Sequence, residues 1–203
     1  MMAGRKNQNA ELRKPEILDG YYRVLITQGL EGTSISKIAK HLEIHPSLIL
    51  HYFKNKNNLR LALIELMVSK FKSQHLINFD HIADDRERFT ALIDMLFSYE
   101  WSRTVDPGVH YGFYYQSYRD QEIAGLFHEM FRWLRDYLYE QFVGFNKKGI
   151  IQVEDELKAA DFIVTLMEGM EFHAQFLRQT APFEDFAETA KKSALCVLKN
   201  GCL

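Results

Sequence analysis

Apolar residues recur every three or four positions along most of this chain, and the residues that interrupt helices are few: four prolines and eleven glycines in 203 positions, gathered at a handful of points. A spacing of three and four puts apolar side chains on one face of an α-helix, whereas half-buried strands need alternation. The chain is therefore expected to be all-α, with about nine helices.

The first helix is predicted from Pro15 to about Gln28, with Ile17, Tyr21, Val24 and Leu25 on one face and Gly29 ending it. Two short helices follow. Thr33 or Ser34 caps the first, whose buried stripe is Ile35, Ile38, Ala39 and Leu42; Glu43, Ile44 and His45 turn the chain, and Pro46 opens the second, which ends near Phe53. After the polar break of residues 54–57, Leu59, Leu63, Leu66 and Met67 carry a longer helix toward Ser73. A polar connection from Asn78 to Asp85 divides a head, residues 1–75, from a body, residues 76–203. The body reads as five helices, near 86–104, 110–118, 121–145, 154–179 and 183–199, with Asp106-Pro107-Gly108, Asn146 to Gly149 and Ala181-Pro182 as breaks.

Charge is divided the same way. The formal net charge is -2, but residues 1–60 carry ten Lys or Arg against five Asp or Glu, so the head is +5 and the remainder -7. A basic head on an acidic body suits phosphate binding by one end of the molecule. Cys196 and Cys202 match neither a disulfide framework nor a metal-ligand spacing, which points to a reducing, cytoplasmic setting. The polar, basic start is not expected to be a secretion signal, and no stretch has the length of apolar residues that a membrane span needs.

Residues 32–56 read as helix, tight turn, helix and the start of a third, a helix-turn-helix unit over about 34–53. In such units the second helix enters the major groove and flanking helix ends meet phosphates. This run resembles the DNA-binding domain of the tetracycline-repressor (TetR/AcrR) family at Thr33, Ser34, Ile38, Ala39, Ile44, Tyr52, Phe53, Lys56 and Leu59, with the likeness extending over about 14–66. The resemblance implies a three-helix DNA-binding head, a C-terminal helical effector-binding and dimerisation domain, and a homodimeric repressor released from its operator by a small molecule. It implies that Ser34, Tyr52 and Lys56 face phosphates, that Pro46, Ser47, Leu48 and His51 lie on or beside the groove-facing surface, and that Thr33 and His45 complete the DNA-binding set. Arg5, Lys6, Arg13 and Lys14 would form a flexible basic arm. The chain departs from the family pattern at Glu43, where the turn usually has Gly, at His45, where the cap is usually Ser, and at Leu50, where Tyr is usual.

The segment Phe162 to Leu177 is apolar on almost every side and must be covered all round. With Phe183, Phe186, Ala187, Ala190, Ala194, Val197 and Leu198 on the last helix, the simplest cover is the same pair from a second copy. The body is also rich in tyrosine and tryptophan, whose polar tips need partners when buried. An effector cavity lined by Trp101, Tyr111, Tyr114, Tyr115, Tyr118 and Met167, with Glu168, Glu171 or His173 as polar contacts, is the expectation, for a small hydrophobic or aromatic effector. No Glu has His three residues later, and no phosphate loop or nucleophile elbow occurs. No catalytic residue, metal or cofactor is therefore expected, and the chain reads as a regulator rather than an enzyme. The same fold working through protein partners, or a helical small-molecule binder without DNA, are the alternatives.

Overall fold

The computed structural model describes residues 3–75 and 79–201, without the side chains of residues 3–11, 74, 75 and 80. Ten α-helices and one short 3-10 turn make up the described residues, and no strand occurs among them. They are α1 (Ala3–Gly32), α2 (Ile35–His41), α3 (Pro46–Phe53), α4 (Lys56–His75), the 3-10 turn Phe79–His81, α5 (Asp85–Leu96), α6 (Tyr99–Ser102), α7 (Pro107–Ser117), α8 (Gln121–Lys147), α9 (Glu156–Leu177) and α10 (Phe183–Asn200). None of the described helices is long and apolar enough to cross a membrane.

Local chemistry sets most helix ends. Gly29 adopts φ 69°, and the regular part of α1 stops there as expected. Asp84, Ser98, Asp106 and Asp155 each accept a backbone N–H at the start of α5, α6, α7 and α9. Ser98 explains the tenth helix: the expected single helix over 86–104 stops at Leu96, and Ser98 caps a fresh turn. Asp106-Pro107-Gly108, read from sequence as a break, is a helix start in which Asp106 caps and Pro107 takes the first position. α1 begins at Ala3, so the segment expected as a flexible arm has helical backbone; the side chains of Arg5 and Lys6 lie outside the described residues, as do Asn78 and Cys202.

The chain forms two compact units, residues 1–71 with 105–127, and residues 72–104 with 128–203. The first takes α7 and the start of α8 into the head, beyond the sequence division at residue 75. There Ile17, Tyr21, Val24, Leu25, Ile38, Ala39, Ile49, Leu59, Leu63 and Phe113 are buried. α1 approaches α2 so closely that a Cβ on Gly20 would sit 2.5 Å from Leu42 Cδ2. α7 packs on α1, where a Cβ on Gly112 would sit 2.7 Å from Leu30 Cδ1, and the Tyr22 hydroxyl accepts from the Asp106 N–H at 2.6 Å. Arg60 on α4 donates to Asp120 at 2.5 Å and to Gln116 at 3.1 Å, fastening the α7–α8 turn to the helix that follows α3.

In the second unit α9 packs on α10. Ala159, Ala160, Ile163, Met167, Met170 and Ala174 of α9, and Ala187, Ala190, Ala194 and Leu198 of α10, are buried within the chain. This corrects the sequence assignment of the partner-facing surface, because those α10 residues are used inside the subunit. What α9 leaves exposed is another stripe, Asp161, Thr165, Gly169, Phe172 and Phe176, and α10 leaves Thr189, Ser193 and Cys196 exposed. Phe172 and Phe176 are 52% and 68% exposed with their rings 4.8 Å apart.

Candidate nucleic-acid interface

The helix-turn-helix corner is built from its caps. Ser34 Oγ accepts from the Lys37 N–H at 3.2 Å and starts α2, which settles the choice between Thr33 and Ser34. Thr33 is buried, its hydroxyl donates to the Gly29 carbonyl at 2.6 Å, and its own carbonyl accepts from Lys56 Nζ at 2.7 Å. Thr33 thus braces the joint between α1, α2 and α4, and the expected DNA contact is not carried by its side chain. Lys56 stands exposed at the first residue of α4 with its ammonium on that same carbonyl. The turn bends through Glu43 at φ 55°, the position where a glycine is usual in the resembling family, and α3 ends on Lys54 at φ 67°.

α3 buries Ile49 and Phe53 and turns Ser47, Leu50, His51 and Lys54 outward, the face that positions i, i+3, i+4 and i+7 share. Pro46, Leu48 and Tyr52 are half-buried. Of the residues expected at the groove, Ser47 and His51 lie on the exposed face, whereas Leu48 is set back and Leu50, 42% exposed, stands forward. Leu50 and Lys54 are the residues the sequence reading missed, and helical spacing from Ser47 was the signal for them. Tyr52 meets His51 edge-on at 5.2 Å and lines a groove of about 490 Å³ together with Lys14 and Lys54. His45 caps α3 through Nδ1, which accepts from the Ser47 N–H at 3.3 Å.

The expected effector residues fall into both units. In the head, His110, Tyr114, Tyr118 and Phe127 form an aromatic cluster, with His110 stacked on Tyr114 at 6.3 Å and Phe127 edge-on to both. Tyr111 meets His110 edge-on at 5.2 Å. Desolvation holds the His110 imidazole down to about 4. Tyr115 and Tyr118 are exposed, Tyr115 beneath the Arg119 guanidinium at 4.7 Å. In the body, Trp101 and Met167 are buried. Burial lifts the Glu168 carboxyl to about 7, and burial with the nearby Glu168 charge lifts Glu171 to about 8, with Arg103 pulling it partly back. His173 is exposed against the ring of Phe186 and, two residues past Glu171, stands about 200° round the helix from it. The structure therefore leaves Tyr115, Tyr118 and His173 outside any enclosed wall. An open groove of about 620 Å³ in the body is lined by Phe97, Tyr99, Phe183, Ala187, Lys191 and Leu195 among others, none of them among the effector residues expected from sequence.

These shifts fix a pH dependence. Both carboxyls titrate higher in the folded chain than in the unfolded one, so their stabilisation is complete below about 4.5 and lost as pH rises through about 7 and about 8. His110 is opposite: its contribution is present above 6.5 and lost as pH falls toward about 4. From pH about 6.5 to about 8 only the acids act, and the melting temperature will fall. Thermal melts of Glu168→Gln with Glu171→Gln will be flat in that window; a sloping double variant would assign the loss to other groups.

Two family models match the chain: residues 17–63 match bacterial regulatory proteins of the tetR family, and residues 84–200 the tetracyclin repressor-like C-terminal domain. The HTH-type transcriptional regulator BetI of Rhizobium meliloti (strain 1021) is 26% identical over 159 residues, 78% of this chain and 76% of BetI. Among solved structures, a transcriptional regulator from Saccharomonospora viridis in complex with choline superposes with a TM-score of 0.80 at 17% identity, covering 94% of this chain and 97% of that one. A TetR transcription regulator from Haloarcula marismortui ATCC 43049 gives a TM-score of 0.76 at 19% identity, covering 91% and 95%. With both halves matched and a capped α3 in the head that turns one face outward, the chain belongs to the TetR family of helix-turn-helix transcription regulators, which are not enzymes.

Proposed function

We propose that the chain is a homodimeric repressor of the cytoplasm, joined through the exposed stripe of α9 and α10, that lays α3 of each copy in successive major grooves of an operator and leaves it when a small organic cation binds the body. The observation that carries the operator reading is the outward face of α3, held above buried Ile49 and Phe53 and flanked by Lys14, Lys54 and Lys56. Ser34, Tyr52 and Lys56 then meet phosphates, while Ser47, Leu50 and His51 face base edges. A second copy is favoured because two adjacent phenylalanines on one helix gain nothing from water.

The effector class follows from Glu168 and Glu171. Two carboxyls one helical turn apart, both destabilised as anions by burial, favour a ligand that brings positive charge, with Trp101 and Met167 as apolar neighbours in the same unit. The structural relative in complex with choline supports a quaternary ammonium as the first compound to try.

Fluorescence anisotropy with DNA from the chain's own upstream region tests the reading. Tighter binding than to random duplex is expected, with release on adding choline and an effect that strengthens from pH 6.5 to about 8 as the acids ionise. Binding no tighter than to random DNA would reject the regulator; a complex that ignores quaternary amines would reject the effector class alone. Lys56→Ala is expected to weaken all sequences alike and to lower the slope of log affinity against log salt by about one. An unchanged slope would place Lys56 away from the phosphates.

A further inference from the structure

We infer that His45 and Ser47 at the start of α3 fix the polarity with which the head reads bases, His45 serving as a donor only and Ser47 as an acceptor only. The inference rests on the proposed docking of α3 in the major groove. It begins with the Ser47 backbone N–H, which lies on His45 Nδ1 at 3.3 Å. An amide N–H can only donate, so Nδ1 carries a lone pair and the proton of the neutral ring sits on Nε2. The Ser47 hydroxyl lies 2.7 Å from the same Nδ1. With no hydrogen on Nδ1, the hydroxyl must be the donor there, and its one hydrogen is spent inside the cap.

A free serine can donate or accept and so discriminates poorly among bases. Here the remaining lone pairs of Ser47 can only accept, and the Nε2–H of His45 can only donate. Both residues are exposed, and Pro46 between them fixes its own φ, so the two groups are held in register. In the major groove the donors are the exocyclic amines of adenine and cytosine, and the acceptors are purine N7, guanine O6 and thymine O4. Ser47 therefore selects adenine or cytosine, and His45 selects a base edge that accepts. A serine or asparagine at the cap would leave the residue after proline free to adapt; the imidazole does not.

In vitro selection with the full-length protein tests this directly. Ser47→Ala locates the base pair concerned as the single position per half-site whose preference it flattens. At that position the wild type is expected to favour the pairs that carry the exocyclic amine on one and the same strand, A·T and C·G over T·A and G·C as read on the contacted strand, and an analogue lacking that amine will weaken binding roughly tenfold. His45→Gly keeps an adequate cap while freeing the Ser47 hydroxyl, so this variant should accept all four bases there within about threefold. A wild-type preference that no exocyclic amine on a single strand can account for, such as adenine grouped with guanine or with thymine, or amine discrimination that survives His45→Gly, overturns the inference while leaving operator binding intact. If Ser47→Ala flattens no position, the inference also falls. Selection that enriches no sequence at all sinks the operator reading and this one together.

Discussion

On the dimer proposed above, replacing Phe172 and Phe176 together by Glu will convert the protein in solution from twice the mass of one chain to the mass of one, and will lower operator affinity by a factor of roughly 100 to 10,000. Each ring is about half exposed or more on a stripe whose neighbours, Gly169 and Thr165, are small enough to let another helix approach. Covering two such rings in each of two copies removes on the order of 400 Å² of apolar surface from water, or about 10 kcal/mol at ~25 cal/mol per Å² before the cost of association. Four carboxylates near a two-fold axis would instead repel. Because a dimer engages two half-sites at once, loss of the pair costs the head its second anchor as well as its spacing. Multi-angle light scattering gives the mass and anisotropy the affinity. A double variant that remains dimeric would move the interface to another face.

Phe113→Ala will destabilise the reading head by about 3 to 5 kcal/mol, although the residue lies 50 positions beyond the end of the tetR-family match in the head. The ring is fully buried on α7, which packs on α1 and is held by the Tyr22–Asp106 and Arg60–Asp120 contacts. A typical domain is stable by only about 5 to 15 kcal/mol, so much of the protection of the head would go. Hydrogen exchange over residues 38–64 is expected to accelerate, with operator binding weakened at 37 °C. Unchanged exchange there, with loss of protection confined to the body, would show that α7 does not support the corner.

The corner was legible because its signals are local. Gly29 at a stop, Ser34 before a helical stripe, and Pro46 at a helix start each act through backbone geometry within one turn, and the structure places all three where those rules put them. Asp106-Pro107 used the same rules and was misread, since a proline was taken as a break when an acidic cap stood before it. The faces of α9 were illegible for another reason. Apolar residues surround that helix, and periodicity cannot say which of Met167 and Phe172 is buried within the same chain and which is left over. The effector residues suffered likewise: tyrosine content announces polar tips in need of partners but not their direction, so exposed Tyr115 and Tyr118 looked the same as sheltered Tyr114.

Glu43 and Lys54 bend the chain through the left-handed region at the two ends of α3 without the glycine that such bends favour. Each costs the native fold about 1 kcal/mol. A glycine would have roamed far more widely once unfolded, so the denatured protein has fewer shapes to lose at these hinges than a glycine-bent corner would. Less chain entropy is therefore lost in forming the corner, which offsets part of the cost of its two strained bends.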